Sequence, residues 1–166
     1  MGAPTQIRPT KPADYLEVLT KAVFQSGMSW RVVEAKWPGF QEAFDGFDPK
    51  TVAAMSPDDI DRLAADTRII RNRRKIEATI ENAGTIVEID ERHGGMNRWL
   101  DSLGSFDAQV AELTRAFRFL GETGAYYFLY VVGKEVPSHQ EWMHSRGPEA
   151  GRRRGQRQGR AERSSQ

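Results

Sequence analysis

Apolar residues recur three and four positions apart through almost the whole chain, and this spacing is typical of amphipathic α-helices. One wide apolar stripe between Pro12 and Gly27 consists of Tyr15, Leu16, Val18, Leu19, Ala22 and Val23. The longest predicted helix runs from Asn72 to His93, where Gly94 follows as a stop signal. The run YYFLYVV at 126–132 could also be a buried strand, but there is no second strand to pair with it. The pattern therefore predicts an all-α fold.

Proline, glycine and serine residues set the expected boundaries of the other helices. Ser29 is the expected N-cap of a second helix, which Pro38 and Gly39 are expected to interrupt or bend. Ser56 should cap a short helix that has Pro57 in its first turn. Further helices are predicted over residues 99–103, 106–116 and 121–133. Together these segments predict a compact multi-helix domain.

The chain contains no cysteine among its 166 residues, which excludes disulfides, thiolate catalysis and cysteine-ligated zinc. No stretch approaches the ~18 uninterrupted apolar residues of a membrane-spanning helix. The N-terminal sequence MGAPTQIRPTKP lacks the apolar segment of a secretory signal. We therefore expect a cytoplasmic protein.

Positive charge is concentrated at the C-terminal end of the chain. From Ser145 onward there are seven arginines against two glutamates, whereas residues 1–144 carry a net charge of −4. The terminal segment contains no residue that could anchor a core. The sequence therefore predicts a helical domain over residues 1–144 and a disordered, Arg-rich tail over residues 145–166. The tail could simply aid solubility, or it could bind phosphates non-specifically.

Three stretches of the sequence carry a resemblance to a known family. They are Gln25-Ser26-Gly27-Met28-Ser29-Trp30, the segment 69–78 (IIRNRRKIEA) followed by Asn82 and Ala83, and the segment 117–121 (FRFLG) followed by a helix and Gly133. In this order and spacing they resemble the DNA-3-methyladenine glycosylase I family, within the helix-hairpin-helix glycosylase superfamily. The similarity covers residues 14–139. It implies an all-α fold with a helix-hairpin-helix motif.

The resemblance implies a pocket for an extruded base around Trp30, Gln25 and Ala22. The family places the aromatic face of Trp30 against the base, and a methylated, cationic adenine favours a π face through stacking and cation–π attraction. Ala22 lies where the family has its pocket carboxylate. Met28 takes the place of a family leucine that resembles a wedge filling the gap left by the flipped nucleotide. The alternative for Trp30 is an ordinary core position.

The same resemblance implies backbone contacts to DNA from the segment that follows Ala116. Phe119, Gly121, Thr123 and Gly124 resemble the hairpin that aims backbone N–H groups at a phosphate. Gly121 is expected to provide close backbone approach or a positive φ. The alternative is an ordinary connection between two helices.

Basic residues cluster at the start of the longest predicted helix, where positive charge opposes the helix dipole. Arg71 and Lys75 of this cluster are therefore expected to contact phosphates. A solvated face with tertiary ion pairs is the alternative.

The sequence departs from the family in its chemistry. The family's N-terminal segment, Tyr-His-Asp-x-Glu-Trp-Gly, lines the base pocket and supplies a zinc ligand, and it has no counterpart here. The family's zinc site uses two Cys and two His, and this chain has no cysteine. We therefore expect no metal and no other cofactor. The catalytic Asp of the wider superfamily corresponds to Pro137, which leaves Glu135 and His139 as weak catalytic candidates.

The expected activity is excision of 3-methyladenine-type bases from duplex DNA, by base flipping and hydrolysis of the N-glycosidic bond. A cationic base leaves as a neutral molecule, so strong acid–base assistance is not essential. A catalytically inactive helix-hairpin-helix DNA-binding protein is the main alternative, and a truncated remnant without specific function is the third. We expect a monomer that acts on double-stranded DNA.

Overall fold

The all-α expectation is confirmed by the structure, a computed structural model that describes residues 3–146. Within this range there are α-helices and a short 3-10 turn at Asp45–Phe47, and no strand. The helices are α1 (Pro12–Gln25), α2 (Trp30–Ala43), α3 (Pro49–Ala53), α4 (Pro57–Ala64), α5 (Arg73–His93), α6 (Met96–Ser102), α7 (Phe106–Ala116), α8 (Glu122–Val131) and α9 (His139–Ser145). Residues 3–135 and 136–146 fall in separate compact units. None of the described helices is both long and apolar enough to cross a membrane.

Helix α5 forms the centre of the first unit. It packs against α1, α3, α4 and α6, and α1 packs in turn against α2 and α8. Fully buried side chains at these contacts include Ile76, Ala83 and Ile86 of α5 and Leu16, Leu19 and Val23 of α1. Burying a large aliphatic side chain contributes about 1.5–3 kcal/mol. This packing fixes α1, which carries much of the candidate site.

A cluster of aromatic rings joins α2 to the end of α1. It consists of Phe24, Trp37, Phe40, Phe44 and Phe47, all of them buried. The Phe24 and Phe40 rings meet edge to face with centroids 4.7 Å apart, and Trp37 stacks on Phe47 at 5.4 Å. Each such pair contributes about 0.5–1.5 kcal/mol beyond the burial of its area. The cluster therefore holds α2 against α1.

Helix α2 runs unbroken from Trp30 to Ala43, so the interruption expected at Pro38 and Gly39 is wrong. A proline removes its own N–H from the helix ladder and costs stability there. The buried rings of Trp37 and Phe40 flank this position, and their packing in the aromatic cluster outweighs that cost.

The expected helix starts at Ser56 and Asn72 are confirmed. The Ser56 side chain accepts a hydrogen bond from the Asp59 N–H, and the Asn72 side chain accepts one from the Lys75 N–H. Such caps satisfy N–H groups that have no partner within the helix.

The second unit is described over residues 136–146 and consists mainly of α9. Ser138 caps α9, Trp142 is buried, and the Arg146 guanidinium lies 4.5 Å from the centre of the Trp142 ring. Ser145 is the last residue of this helix. The rest of the predicted tail, residues 147–166, lies outside the described residues.

Two helical glycines give a matched test of this packing. A Cβ added at Gly39 of α2 would lie 2.2 Å from the Arg68 carbonyl oxygen, whereas at Gly84 of α5 it would meet nothing within 4 Å. We expect Gly39→Ala to lower the free energy of unfolding by about 2 kcal/mol, because the backbone of α2 or of Arg68 must shift to make room for the added methyl group. Gly84→Ala should raise it by about 0.5–1 kcal/mol through helix propensity. Urea unfolding followed by circular dichroism measures both, and equal stabilities would contradict the close approach of α2 to Arg68.

Candidate functional site

A cavity of ≈ 700 Å³ opens in the first unit, between α1, α2, α8 and the N-terminal segment. It is lined by Ala3, Pro4, Thr5, Ile7, Glu17, Val18, Lys21, Gln25, Trp30, Glu34, Tyr127 and Val131. Small-molecule sites are typically about 300–1,000 Å³. The cavity is therefore large enough for a nucleobase, and it includes two of the three expected pocket residues, Gln25 and Trp30.

The charged residues of this lining were missed by the sequence interpretation. Glu17, Lys21 and Gln25 lie at one-turn intervals on α1, and Glu34 lies one turn after Trp30 on α2. Two carboxylates against one ammonium leave the lining with one net negative charge. A concave surface of one sign concentrates ligands of the opposite sign, so this cavity favours a cationic occupant.

The ammonium of Lys21 lies between a carboxylate and an aromatic ring. Its Nζ is 2.6 Å from Glu34 Oε1 and 5.1 Å from the centre of the Trp37 ring. Both contacts join α1 to α2. One turn earlier on α1, Glu17 accepts a long hydrogen bond, 3.4 Å, from Gln41 Nε2 of α2.

Tyr127 brings a phenolic hydroxyl from α8 to the same cavity. Burial and, to a smaller extent, the negative charge of Glu34 together raise the pKa of Tyr127 to about 12, although a hydrogen bond with Gln25 lowers it slightly. The hydroxyl therefore stays neutral across the physiological pH range and keeps its proton for donation.

The N-terminal segment forms one wall of the cavity. The Ile7 N–H donates to the Val131 carbonyl at 2.8 Å, and Gln6 Nε2 donates to the Tyr130 carbonyl at 3.0 Å. These bonds attach the segment to the last turn of α8. No pattern in the sequence pointed to this wall, because an extended segment has no periodic signal of its own.

Trp30 lines the cavity, and Met28 lies two residues before it in the α1–α2 turn (residues 26–29). Trp30 is 45 % exposed and Met28 is 40 % exposed. The Arg31 guanidinium lies 5.9 Å from the centre of the Trp30 ring, so this ring already contacts a cation. Gly27 has φ +73°, a conformation that glycine adopts without strain and that turns the chain sharply before Met28. Trp30 is thus not a core residue.

Lys75 supports this turn from beneath. The side chain is only 7 % exposed, and its ammonium donates to the carbonyl oxygens of Ser26 at 2.6 Å and Phe24 at 3.3 Å. Burial lowers the pKa of Lys75. This burial contradicts the expected phosphate contact of Lys75, because its donors point into the protein.

The α7–α8 turn (residues 117–121) is held by α5 in a similar way. The buried Asn82 side chain accepts from the Arg118 N–H at 2.8 Å and donates to the Arg118 carbonyl at 3.1 Å. Phe117 is buried at the start of the turn, whereas Phe119 is 45 % exposed. Phe119 has φ +56°, which is uncommon for a bulky residue and marks a constrained backbone.

The two anchors share one side of α5. Lys75 and Asn82 are seven positions apart, which is two turns of helix and about 10 Å along its axis. The α1–α2 turn and the α7–α8 turn therefore lie over the same side of α5, each with one exposed apolar side chain, Met28 and Phe119.

Gly121 begins α8 as its N-cap and has φ −87°, so the positive φ expected there is wrong and occurs at Phe119 instead. Gly121 and Thr123 are both exposed. A Cβ added at Gly121 would meet nothing within 4 Å, so a side chain has room at this helix start.

Gly124 and Ala22 have packing roles. A Cβ added at Gly124 would lie 2.9 Å from Leu120 Cδ1 and 3.7 Å from the Ala22 Cβ. Ala22 is buried at this contact between α1 and α8 and does not line the cavity. The structure therefore contradicts the expected pocket position of Ala22, whereas the contact of the Gly124 N–H with DNA stays a prediction.

The remaining candidates lie apart from the cavity lining. Arg71 is exposed just before α5, and Glu135 is exposed at the end of the first unit. Pro137 and His139 belong to the second unit. Among residues 3–146 no group of three or more His, Asp or Glu side chains is arranged to hold a metal ion.

The fold is that of the DNA glycosylases of the 3-methyladenine type. A crystal structure of 3-methyladenine DNA glycosylase I matches it with a TM-score of 0.67 at 28% identity, over 76% of this chain and 81% of that one. The structure describing 3-methyladenine recognition by the Staphylococcus aureus enzyme matches with a TM-score of 0.70 at 25% identity, over 78% and 80% of the two chains.

Sequence comparison gives the family directly. The family model described as methyladenine glycosylase matches residues 8–114. DNA-3-methyladenine glycosylase 1 of Escherichia coli (strain K12) is 31% identical over 130 residues, which cover 66% of this chain and 70% of that protein. The chain belongs to the methyladenine glycosylase family.

Tyr127 gives a pH test of the cavity. Because its folded pKa is raised from 10.0 to about 12, its contribution to stability is present below pH 10 and is lost as the pH rises through about 12. We expect the free energy of unfolding to fall over this window, and to fall less in Tyr127→Phe. Chemical unfolding at a series of pH values measures the slopes. Identical slopes for the parent and the variant would rule out a buried Tyr127 hydroxyl.

Proposed function

We propose that this chain removes 3-methylated adenine from duplex DNA by extruding the base into the cavity and hydrolysing its N-glycosidic bond. The observation that carries the proposal is the cavity itself, which combines the half-exposed ring of Trp30 with the carboxylates of Glu17 and Glu34. The family of the chain and the names of its relatives support the same activity.

Recognition of the base follows from charge and shape. A 3-methylated adenine in DNA is cationic, and it gains cation–π and stacking energy on the Trp30 ring. Glu34 and Glu17 add electrostatic attraction that an unmodified, neutral adenine does not receive. The neutral Tyr127 hydroxyl offers a hydrogen-bond donor to a ring nitrogen. These residues take the part that the family gives to a carboxylate at the position of Ala22.

The chemical step needs modest assistance. As the bond from the sugar C1′ to the base breaks, its electron pair stays on the base, which becomes neutral while positive charge develops on the sugar. Water then adds to C1′ and loses a proton to solvent. The carboxylates of the cavity lining stabilise the positive charge that develops on the sugar. General base catalysis typically contributes ~10²–10⁴-fold, and this contribution matters less when the leaving base is cationic.

The DNA backbone would lie across the two turns held by α5. Met28 fills the space left by the extruded nucleotide, and Phe119 contacts the duplex from the α7–α8 turn. The N–H groups after Gly121, with the exposed Thr123 hydroxyl, bind a phosphate, and Arg71 binds another. Lys75 supports the Met28 turn and makes no phosphate contact. The protein acts as a monomer and needs no cofactor.

A non-catalytic DNA-binding protein is the second candidate. It is favoured by one observation, the buried Ala22 at the position of the family's pocket carboxylate. This candidate predicts duplex binding that weakens with salt, without release of any base.

Base release separates the two candidates. Purified protein incubated with methylated duplex DNA should release free 3-methyladenine, measured by chromatography. Trp30→Ala should lower the single-turnover rate by about tenfold or more, since base stacking is worth ~1–3 kcal/mol. Glu34→Gln should also lower it, whereas Glu77→Gln on the exposed side of α5 should not. Binding without release by the folded parent protein would establish the second candidate instead.

The start of α8 can be tested by one added side chain. Gly121→Val should fold normally, because its φ suits any residue and a Cβ there has open space. It should weaken binding to every duplex alike, because phosphate contacts carry no sequence information. Fluorescence anisotropy with damaged and undamaged duplexes measures this, with Trp30→Ala as the comparison that spares undamaged duplex. Parental affinity in a folded Gly121→Val protein would mean that no phosphate binds there.

A further inference from the structure

Lys21 is an unexpected residue for a cavity that takes a cation. It is the one cationic side chain in the lining of the cavity, and its ammonium lies 2.6 Å from Glu34 Oε1. A ligand cation and Lys21 therefore compete for the same carboxylate.

The position of the ion pair allows Lys21 to be replaced by another cation at Glu34. Its two side chains are 20% and 45% exposed, so solvent reaches the pair and screens its contribution to stability. Lys21 also keeps other partners when it leaves Glu34, because the Trp37 ring lies 5.1 Å from its Nζ and Glu17 lies one turn earlier on α1. Separation of the pair therefore leaves no isolated ammonium.

We propose that the Lys21–Glu34 ion pair promotes product release. The pair separates when the cationic base of the substrate binds Glu34, and it re-forms when the base has become neutral. The proposal rests on the proposed function and assigns Lys21 a role in specificity and product release. Lys21 is a positioning residue, because it acts through Glu34 and not on the reacting atoms.

The charge change in the reaction drives the exchange. Before cleavage the base carries one positive charge, as Lys21 does, so that both can form a charged contact with Glu34. Cleavage of the C1′–N bond leaves the electron pair on the base, which is then neutral and can offer Glu34 only an ordinary hydrogen bond. The Lys21 ammonium, a charged donor, then forms the stronger contact and displaces the product.

Lys21→Met removes the competing cation and keeps an aliphatic side chain of similar length. We expect it to bind neutral 3-methyladenine about fivefold more tightly than the parent protein, the size of a weak ion pair in an affinity. The fixed cation 3,9-dimethyladeninium should also bind more tightly, because Glu34 is no longer shared. Isothermal titration calorimetry gives both affinities without any requirement for catalysis.

Turnover gives the readout that a merely structural role would not change. In Lys21→Met the single-turnover rate with subsaturating protein should exceed that of the parent protein, because Glu34 is no longer shared, and inhibition by added 3-methyladenine should increase about fivefold. Lys21→Arg keeps the charge and should resemble the parent. Lys50→Met removes an exposed lysine outside the cavity lining and should also resemble the parent.

The outcomes separate this proposal from the proposed function. If the parent protein binds both probes and Lys21→Met, folded as judged by circular dichroism, binds them with unchanged affinity, the exchange at Glu34 is refuted while the base pocket stands. If the parent protein binds neither probe, the base pocket and the exchange both fail.

Discussion

Two buried polar side chains of α5 determine how the functional surface is held. Lys75 donates to the carbonyls of Phe24 and Ser26, and Asn82 pairs with both backbone groups of Arg118. A buried ammonium is costly unless hydrogen bonds satisfy it, and the lowered pKa of Lys75 records part of that cost. In return, each anchor ties one turn to α5 through hydrogen bonds. Because both anchors face the same side of this helix, the two turns are kept at a defined spacing.

The cavity depends on a different set of contacts, those of α1 with α2 and α8. The aromatic cluster around Trp37 and Phe40 holds α2 against α1, and this brings Glu34 and Trp30 opposite the polar side of α1. The resulting lining has a net negative charge, which comes from Glu17 of α1 and Glu34 of α2, while Ala22 is buried between α1 and α8.

The fold was predictable from the sequence to a large extent, and the site only in part. Helical periodicity, with glycine and serine boundaries, gave α1, α5 and α7 closely, since these signals are local. Trp30 and Met28 were found through a short motif that the family shares. The burial of Lys75 could not be read from its basic neighbours, because it depends on a turn some fifty positions away. Glu17 and Lys21 did leave a signal, an i, i+4 series ending at Gln25, but only the packing of α2 shows that this polar side of α1 faces a cavity.

The most direct test of this account uses a methylated duplex with 2-aminopurine next to the methylated base, whose fluorescence rises when its neighbour leaves the stack. Lys75→Met should bind duplex with near-parental affinity but lose the fluorescence increase, because the Met28 turn is no longer held. Asn82→Ala should lose duplex affinity itself, because the α7–α8 turn is released. Arg74→Met and Gln109→Ala, which remove a neighbouring exposed charge and a buried amide elsewhere, serve as controls. Parental affinity and parental fluorescence in folded Lys75→Met and Asn82→Ala proteins would contradict the account.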